Sequence, residues 1–206
     1  VYFAQDEDIQ CADIILFCVK SFQLSIALEK ISDKLKASAS IILAHNGMGV
    51  LEELSEKMFD KHNVYTLLTT HGSLKSAPFT VSHTGIGQSD IGFHSGTNSV
   101  AEHEQLSRFL NSALPSVTFH QNITHKQWLK LAINCVINPL TALNDVDNGD
   151  INKAEYLPVI TLLLTEIIAV AQTQRIILSL SELLSNVKKV AQATANNCSS
   201  MRCDVL

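Results

Sequence analysis

Lys130, Asn134 and Asn138 recur at four-residue steps through the otherwise apolar stretch Trp128–Pro139, W-L-K-L-A-I-N-C-V-I-N-P. On an α-helix of 3.6 residues per turn, three residues at that spacing drift by only roughly 80° and span about 12 Å. Their polar heads therefore form one strip. Leu129, Leu131, Ala132, Ile133, Val136 and Ile137 lie between them and suit a buried helix. An ammonium and two carboxamides turned toward a helix's buried side are costly unless polar groups meet them. An oxygen-rich ligand would meet them. The lysine can give up a proton, and neutral amides can orient carboxylate or hydroxyl groups without competing charge. Asn138 precedes Pro139, which disfavours helical geometry there, so the helix Thr124–Ile137 is expected to end or kink at that point.

Further candidates sit where α/β sheets gather ligands, beyond the carboxyl ends of strands. Lys20 directly follows the apolar run Asp13–Val19, and His45-Asn46-Gly47-Met48-Gly49 follows the run Ser40–Ala44. The glycines permit close backbone approach to a ligand, or simply a tight turn before a helix. Lys20 is equally compatible with a solvated loop. Asn148-Gly149 reads as a turn. Asn196, Asn197, Ser199 and Ser200 form a polar patch late in the last helix, suiting either solvent or the second wall of a cleft.

The elements that must position these residues fall into two groups. Asp13–Val19, the helical stripe Leu24–Leu35 and Ser40–Ala44 make a βαβ unit. Val50–Phe59 is expected as a helix and Val64–Thr69 as a third strand. Phe79–Thr84 and Asp90–Phe93, divided by Gly85-Ile86-Gly87, are expected to form a hairpin. Ser99–Leu114 reads as a helix stopped by Pro115, and Val117–His120 as a short strand. From Thr124 the pattern is helical throughout: Thr124–Ile137, Pro158–Ile177 and Ser181–Met201, with a polar connection Thr141–Leu157. The expected fold class is α/β: a partial Rossmann-like dinucleotide-binding domain over 1–122, then an all-helical substrate domain over 123–206.

Composition restricts the partners. With 206 residues, 46% hydrophobic and 17% charged, the chain can bury a sizeable core. A net charge of −5 and no basic cluster argue against nucleic acid. The longest apolar run, Val159–Ala171, is expected to be too short to span a bilayer. It suits the core or a subunit contact, and the latter would make a homodimer. Cys11, Cys18, Cys135, Cys198 and Cys203 show no paired metal pattern and are expected as thiols in a reducing cytoplasm. No metal site is expected. The start at Val1 and the stop after Met201–Leu206 suggest a chain cut at both ends.

Together these residues resemble the ketopantoate reductase (2-dehydropantoate 2-reductase) family. The matching pieces are A-D-I-I-L-F-C-V-K-S at 12–21, I-L-A-H-N-G-M-G at 42–49, T-T-H-G at 69–72, K-L-A-I-N-C-V-I-N-P-L-T-A at 130–142, N-G-D at 148–150 and N-N-C-S-S-M at 196–201. The resemblance implies an NADP(H)-dependent oxidoreductase of pantothenate biosynthesis, acting on the small molecule 2-dehydropantoate in the cytoplasm. It implies Lys130 as general acid, with Asn134, Asn138, Asn148 and Ser200 holding substrate. Lys20, Asn46 and Ser73 would contact the cofactor. The family's G-x-G-x-x-G fingerprint is not in this chain, since Gly85-Ile86-Gly87-Gln88-Ser89-Asp90 lacks the third glycine. The first βαβ half is therefore expected upstream of Val1, and a further acidic residue downstream of Leu206. Two other readings stay open: a related hydroxyacid dehydrogenase on another oxo acid, and a degenerate, non-catalytic module.

Overall fold

The computed structural model describes residues 5–53, 61–114 and 116–205. The chain divides into two compact units, Val1–Ile123 and Thr124–Leu206. In the first, strands β1 (Ile14–Phe17), β2 (Ser40–Leu43) and β3 (Asn63–Thr69) are parallel neighbours. Next come β4 (Gly72–Ala77), β5 (Thr80–Gly85), β6 (Ser89–Ser95) and β7 (Val117–His120). The main sheet has the order β1-β2-β3-β6-β7, with β6 antiparallel to β3 and β7 parallel to β6. This is the Rossmann-like α/β sheet that the apolar runs anticipated.

The period-2 alternation of a strand explains why those runs are continuously apolar. On β2, Ile41 and Leu43 pack with Phe17, Leu24, Leu28, Val50 and Val64, whereas Ile42 packs with Tyr65, Leu67, Ile91, Leu106, Leu110 and Val117. Both faces of the strand are core. Helix α1 (Asp6–Cys11) precedes β1 and was not anticipated. Helix α2 (Leu24–Ile31) is shorter than the expected Leu24–Leu35, because the chain tightens into a 3-10 turn at Ser32–Lys34. Helix α3 covers Val50–Glu53, and the remainder of the expected Val50–Phe59 helix lies outside the described residues. Helix α4 (Val100–Ala113) opens on a capping box: Ser99 N–H donates to Glu102 Oε2 at 2.7 Å, and Ser99 Oγ accepts Glu102 N–H at 3.4 Å. Pro115, expected to stop it, is outside the described residues.

The expected hairpin is wrong. β4 and β5 pair with each other about Pro78-Phe79 in a separate two-stranded sheet, and β6 returns to β3. Burial decides between the two pairings. Ser89, Ile91 and Gly92 on β6 are buried, whereas Ser73–Ala77 and Thr80–Thr84 are exposed, so only β6 gains from the central sheet. Gly87 approaches the backbone of Thr70 so closely that a Cβ there would lie 2.4 Å from the Thr70 carbonyl carbon.

The second unit is helical: α5 (Thr124–Asn144), α6 (Leu157–Thr173), α7 (Leu180–Ala193) and α8 (Ser200–Val205), with 3-10 turns at Asn148–Asn152 and Ala154–Tyr156 between α5 and α6. Three expectations need correction. α5 does not end at Asn138 but continues through Pro139 to Asn144. Side chains help it do so, since the Thr141 hydroxyl bonds the Ile137 carbonyl at 2.8 Å and Asn144 Nδ2 donates to the Leu140 carbonyl at 2.7 Å. The expected helix Ser181–Met201 is two helices. Across its break, Asn148 N–H donates to the Asn197 carbonyl and Gly149 N–H to the Ala195 carbonyl, so tertiary pairing replaces helical bonding. Gly149 is required there, as its Cβ would stand 2.7 Å from that of Ala195. Lastly, the apolar run Val159–Ala171 lies in a longer helical segment. Ala154–Thr173 is, by length and composition alone, long and apolar enough to cross a membrane, although Ile160, Leu164 and Ala171 are buried in the helical unit.

The cysteines also depart from expectation. Cys198 and Cys203, with Cα atoms 6.2 Å apart, form a disulfide across the start of α8, and Cys11, Cys18 and Cys135 are free. A sequence separation of five, spanning the end of the break and the first helical turn, brings the two Cα atoms within disulfide range.

Candidate active site

α5 carries Lys130, Asn134 and Asn138 on one side, as the four-residue step requires. Its buried residues are Trp128, Ala132, Val136, Ile137, Leu140 and Thr141. The polar strip is about half a turn from Trp128, Ala132, Val136 and Leu140, and Ile137 and Thr141 are buried beside it. All three residues of the strip are only partly exposed. Burial pushes the Lys130 ammonium below the ordinary lysine range, because removing a charge from water favours its neutral form.

At the far end of the strip, Asn138 Nδ2 donates to Ser200 Oγ at 3.4 Å. Ser200 opens α8 and does not sit late in a long helix. Asn148 lies in the 3-10 turn after α5 and is buried. Its Nδ2 donates to Thr194 Oγ1 at 3.0 Å, and among the described residues its Oδ1 has no partner. A buried carboxamide oxygen left this way is an acceptor waiting for a donor. The break between α7 and α8 thus supplies partners for both Asn138 and Asn148. Thr194, which holds Asn148, was missed by the sequence reading, and no local spacing marks it.

In the first unit, Lys20 and Asn46 each lie three residues past a register pair, Phe17 and Leu43, of adjacent parallel strands. Both are exposed at the same, carboxyl edge of the sheet. Lys20 leads a 3-10 turn, where its N–H donates to Gln23 Oε1 at 3.2 Å. After Asn46, Gly47 and Gly49 take φ of 95° and 94°, and a Cβ on either would meet nothing within 4 Å. Beside them His45 is buried; its Nδ1 lies 3.3 Å from the Asn46 carbonyl, and its Nε2 has no partner among the described residues. Left-handed glycines, open space and an orphaned buried nitrogen fit a polar ligand such as a dinucleotide at this edge. His45 lay in the loop that the sequence singled out, but its burial was not legible there. Ser73 is exposed on the β4–β5 hairpin, paired with His83. Among the described residues, no group of three or more His, Cys, Asp or Glu could hold a metal ion.

Comparison with known proteins gives a consistent result. The family model for ketopantoate reductase PanE/ApbA matches residues 1–96, and that for its C-terminal part matches residues 122–206. The 2-dehydropantoate 2-reductase of Vibrio cholerae is 39% identical over 194 residues, covering 94% of this chain and 64% of that protein. The enzyme of the same name from Escherichia coli O157:H7 is 32% identical over 203 residues, covering 98% and 64%. The chain thus spans somewhat under two thirds of these relatives' length. Among solved structures, a D-mandelate dehydrogenase with NADH and anilino(oxo)acetate aligns with TM-score 0.85 at 21% identity, covering 98% of this chain and 64% of that one. A ketopantoate reductase of the PanE/ApbA family from Ralstonia eutropha aligns with TM-score 0.81 at 24% identity, covering 97% and 64%. At those identities the structures establish the fold.

Proposed function

Because the chain belongs to the ketopantoate reductase family, we propose that the enzyme carrying it reduces the ketone of 2-dehydropantoate to (R)-pantoate with NADPH. That reaction serves pantothenate and coenzyme A biosynthesis in the cytoplasm. The observation that carries the reading is the strip Lys130, Asn134 and Asn138, with a lysine depressed by burial and Ser200 at its end.

Lys20, Asn46 and Ser73 would hold the cofactor, which when bound supplies the hydride. The chain's own residues do the rest. Hydride arriving at the ketone carbon leaves negative charge on the oxygen, and the Lys130 ammonium both stabilises that charge and donates the proton from Nζ. Its lowered pKa brings the proton's release nearer to working pH. Asn134, Asn138, Asn148 and Ser200 orient the substrate's carboxylate and hydroxyl. Carboxamides and a hydroxyl donate and accept without placing an anion beside the lysine. Asn148 Oδ1, without a partner among the described residues, suits the substrate hydroxyl as donor.

The test is Lys130→Ala in the full-length protein, assayed with 2-dehydropantoate and a panel of other 2-oxo acids. A lost general acid lowers kcat by about 10²–10⁴-fold, while cofactor affinity measured by titration stays within about twofold. Near-normal turnover in the variant would remove Lys130 from the mechanism. Faster turnover of another oxo acid by the unmodified enzyme would overturn the substrate.

A further inference from the structure

We propose that Thr141 is a positioning residue that fixes Ser200 against Asn138; this deepens the substrate-binding reading above and rests on it. Thr141 belongs to the P-L-T-A segment that follows the strip, and it contributes nothing to the reaction as described so far. It is fully buried, and Ser199 beside it is nearly so. Thr141 Oγ1 lies 2.7 Å from Ser199 Oγ, 2.8 Å from the Ile137 carbonyl and 3.1 Å from the Asn138 carbonyl. Ser199 Oγ accepts Arg202 N–H at 3.2 Å and so caps α8.

Each hydroxyl has one proton and two lone pairs. The assignment that satisfies every member runs Arg202 N–H to Ser199, Ser199 to Thr141, and Thr141 to a carbonyl of its own helix. A methyl in place of the Thr141 hydroxyl would strand the Ser199 proton in the core. The pair therefore locks the first residues of α8 to the last full turn before the end of α5. Outside, Arg202 completes the clamp, with Nε 2.9 Å from Asp145 Oδ1 and a terminal nitrogen 2.5 Å from Asp147 Oδ1. Ser200 is the next residue along from Ser199, and Asn138 lies three residues before Thr141. Fixing one pair fixes the other.

The experiment compares Thr141→Val, Thr141→Ser, Ser199→Ala and Ser200→Ala in the full-length enzyme, reading KM for 2-dehydropantoate, kcat and NADPH affinity. We expect Thr141→Val and Ser199→Ala each to raise KM by about tenfold, the scale of one lost orienting contact. NADPH affinity stays unchanged, and Thr141→Ser restores KM to within about threefold. In a Ser200→Ala background, Thr141→Val should add nothing further to KM. If Ser200→Ala raises KM but neither Thr141→Val nor Ser199→Ala does, the positioning role fails alone. The role also fails if Thr141→Ser is as impaired as Thr141→Val, or if the two effects add. If Ser200→Ala itself leaves KM unchanged, the substrate role of Ser200 falls and this inference falls with it. Should Thr141→Val not fold, Ser199→Ala decides.

Discussion

At the level of single residues, the general-acid role proposed for Lys130 carries a pH dependence. A general acid works only while protonated, and burial has lowered the pKa at which this ammonium loses its proton. Turnover should therefore fall on the alkaline side, with a midpoint below the ordinary lysine value of about 10.4. A pH profile of kcat that stays flat to that value would show the limb to belong to another group. Asn138→Ala should act differently, raising KM more than it lowers kcat, because an orienting contact is lost while the proton donor stays. Equal effects on both would move Asn138 into the transition state. The Lys130–Asn134–Asn138 strip was legible in the sequence because helical periodicity is local. Its surroundings were not: the sequence shows that apolar residues lie between its members, but not which of them are buried, Ile137 and Thr141 beside the strip and Trp128, Ala132, Val136 and Leu140 about half a turn away. Asn148 is held by Thr194, 46 residues distant, and Asn138 meets Ser200 across 62. Such pairings come from tertiary packing; the polar patch left Ser200 open to solvent or a cleft wall, and only the family resemblance gave Asn148 and Ser200 a substrate role.

Among the elements, α5 is the one that departs most from local rules. Pro139 inside a helix lacks the N–H that would bond the Cys135 carbonyl, and an interior proline costs about 3 kcal/mol relative to alanine. Pro139→Ala should restore that bond and raise the melting temperature. It should also reset the last turns of the helix, moving Asn138 and so raising KM. A lower melting temperature would mean that the surrounding packing is built on the proline's own geometry. Reading a helix end at Asn138 was reasonable from dihedral preference alone, but the side-chain bonds of Thr141 and Asn144 to helix carbonyls favour continuation. The misread hairpin has a parallel cause. Gly85-Ile86-Gly87 has turn composition, yet Pro78-Phe79 makes the turn, and Ile91 is worth more in the central sheet than on an exposed ribbon. The parallel strands β1, β2 and β3 were legible as short, mostly apolar runs, clearest in β2, which is buried on both faces.

Across the whole molecule, acid stability should be unevenly shared between the two units. His103 is buried among Phe93, Phe119 and Tyr65, with Nδ1 2.9 Å from the Tyr65 hydroxyl, which also receives Asn98 Nδ2 at 2.7 Å. Burial lowers its pKa, and burial first, then Lys61, lowers that of His62. Both are in the first unit. A histidine whose folded pKa lies below its unfolded value of about 6.5 leaves the unfolded chain holding more protons, so stability declines as pH falls through that window. The second unit holds the chain's one tryptophan, Trp128, which is buried. Two signals can therefore be followed separately: amide exchange in β3 and β6 for the first unit, and Trp128 emission for the second. From pH 7 to 5, protection in β3 and β6 should fall more than the stability reported by Trp128. His103→Leu should flatten that fall, because the substituted side chain takes up no proton. If β3 and β6 kept full protection at pH 5, His103 would be charging inside its aromatic cage without penalty, and the lowered pKa drawn from its burial would be wrong.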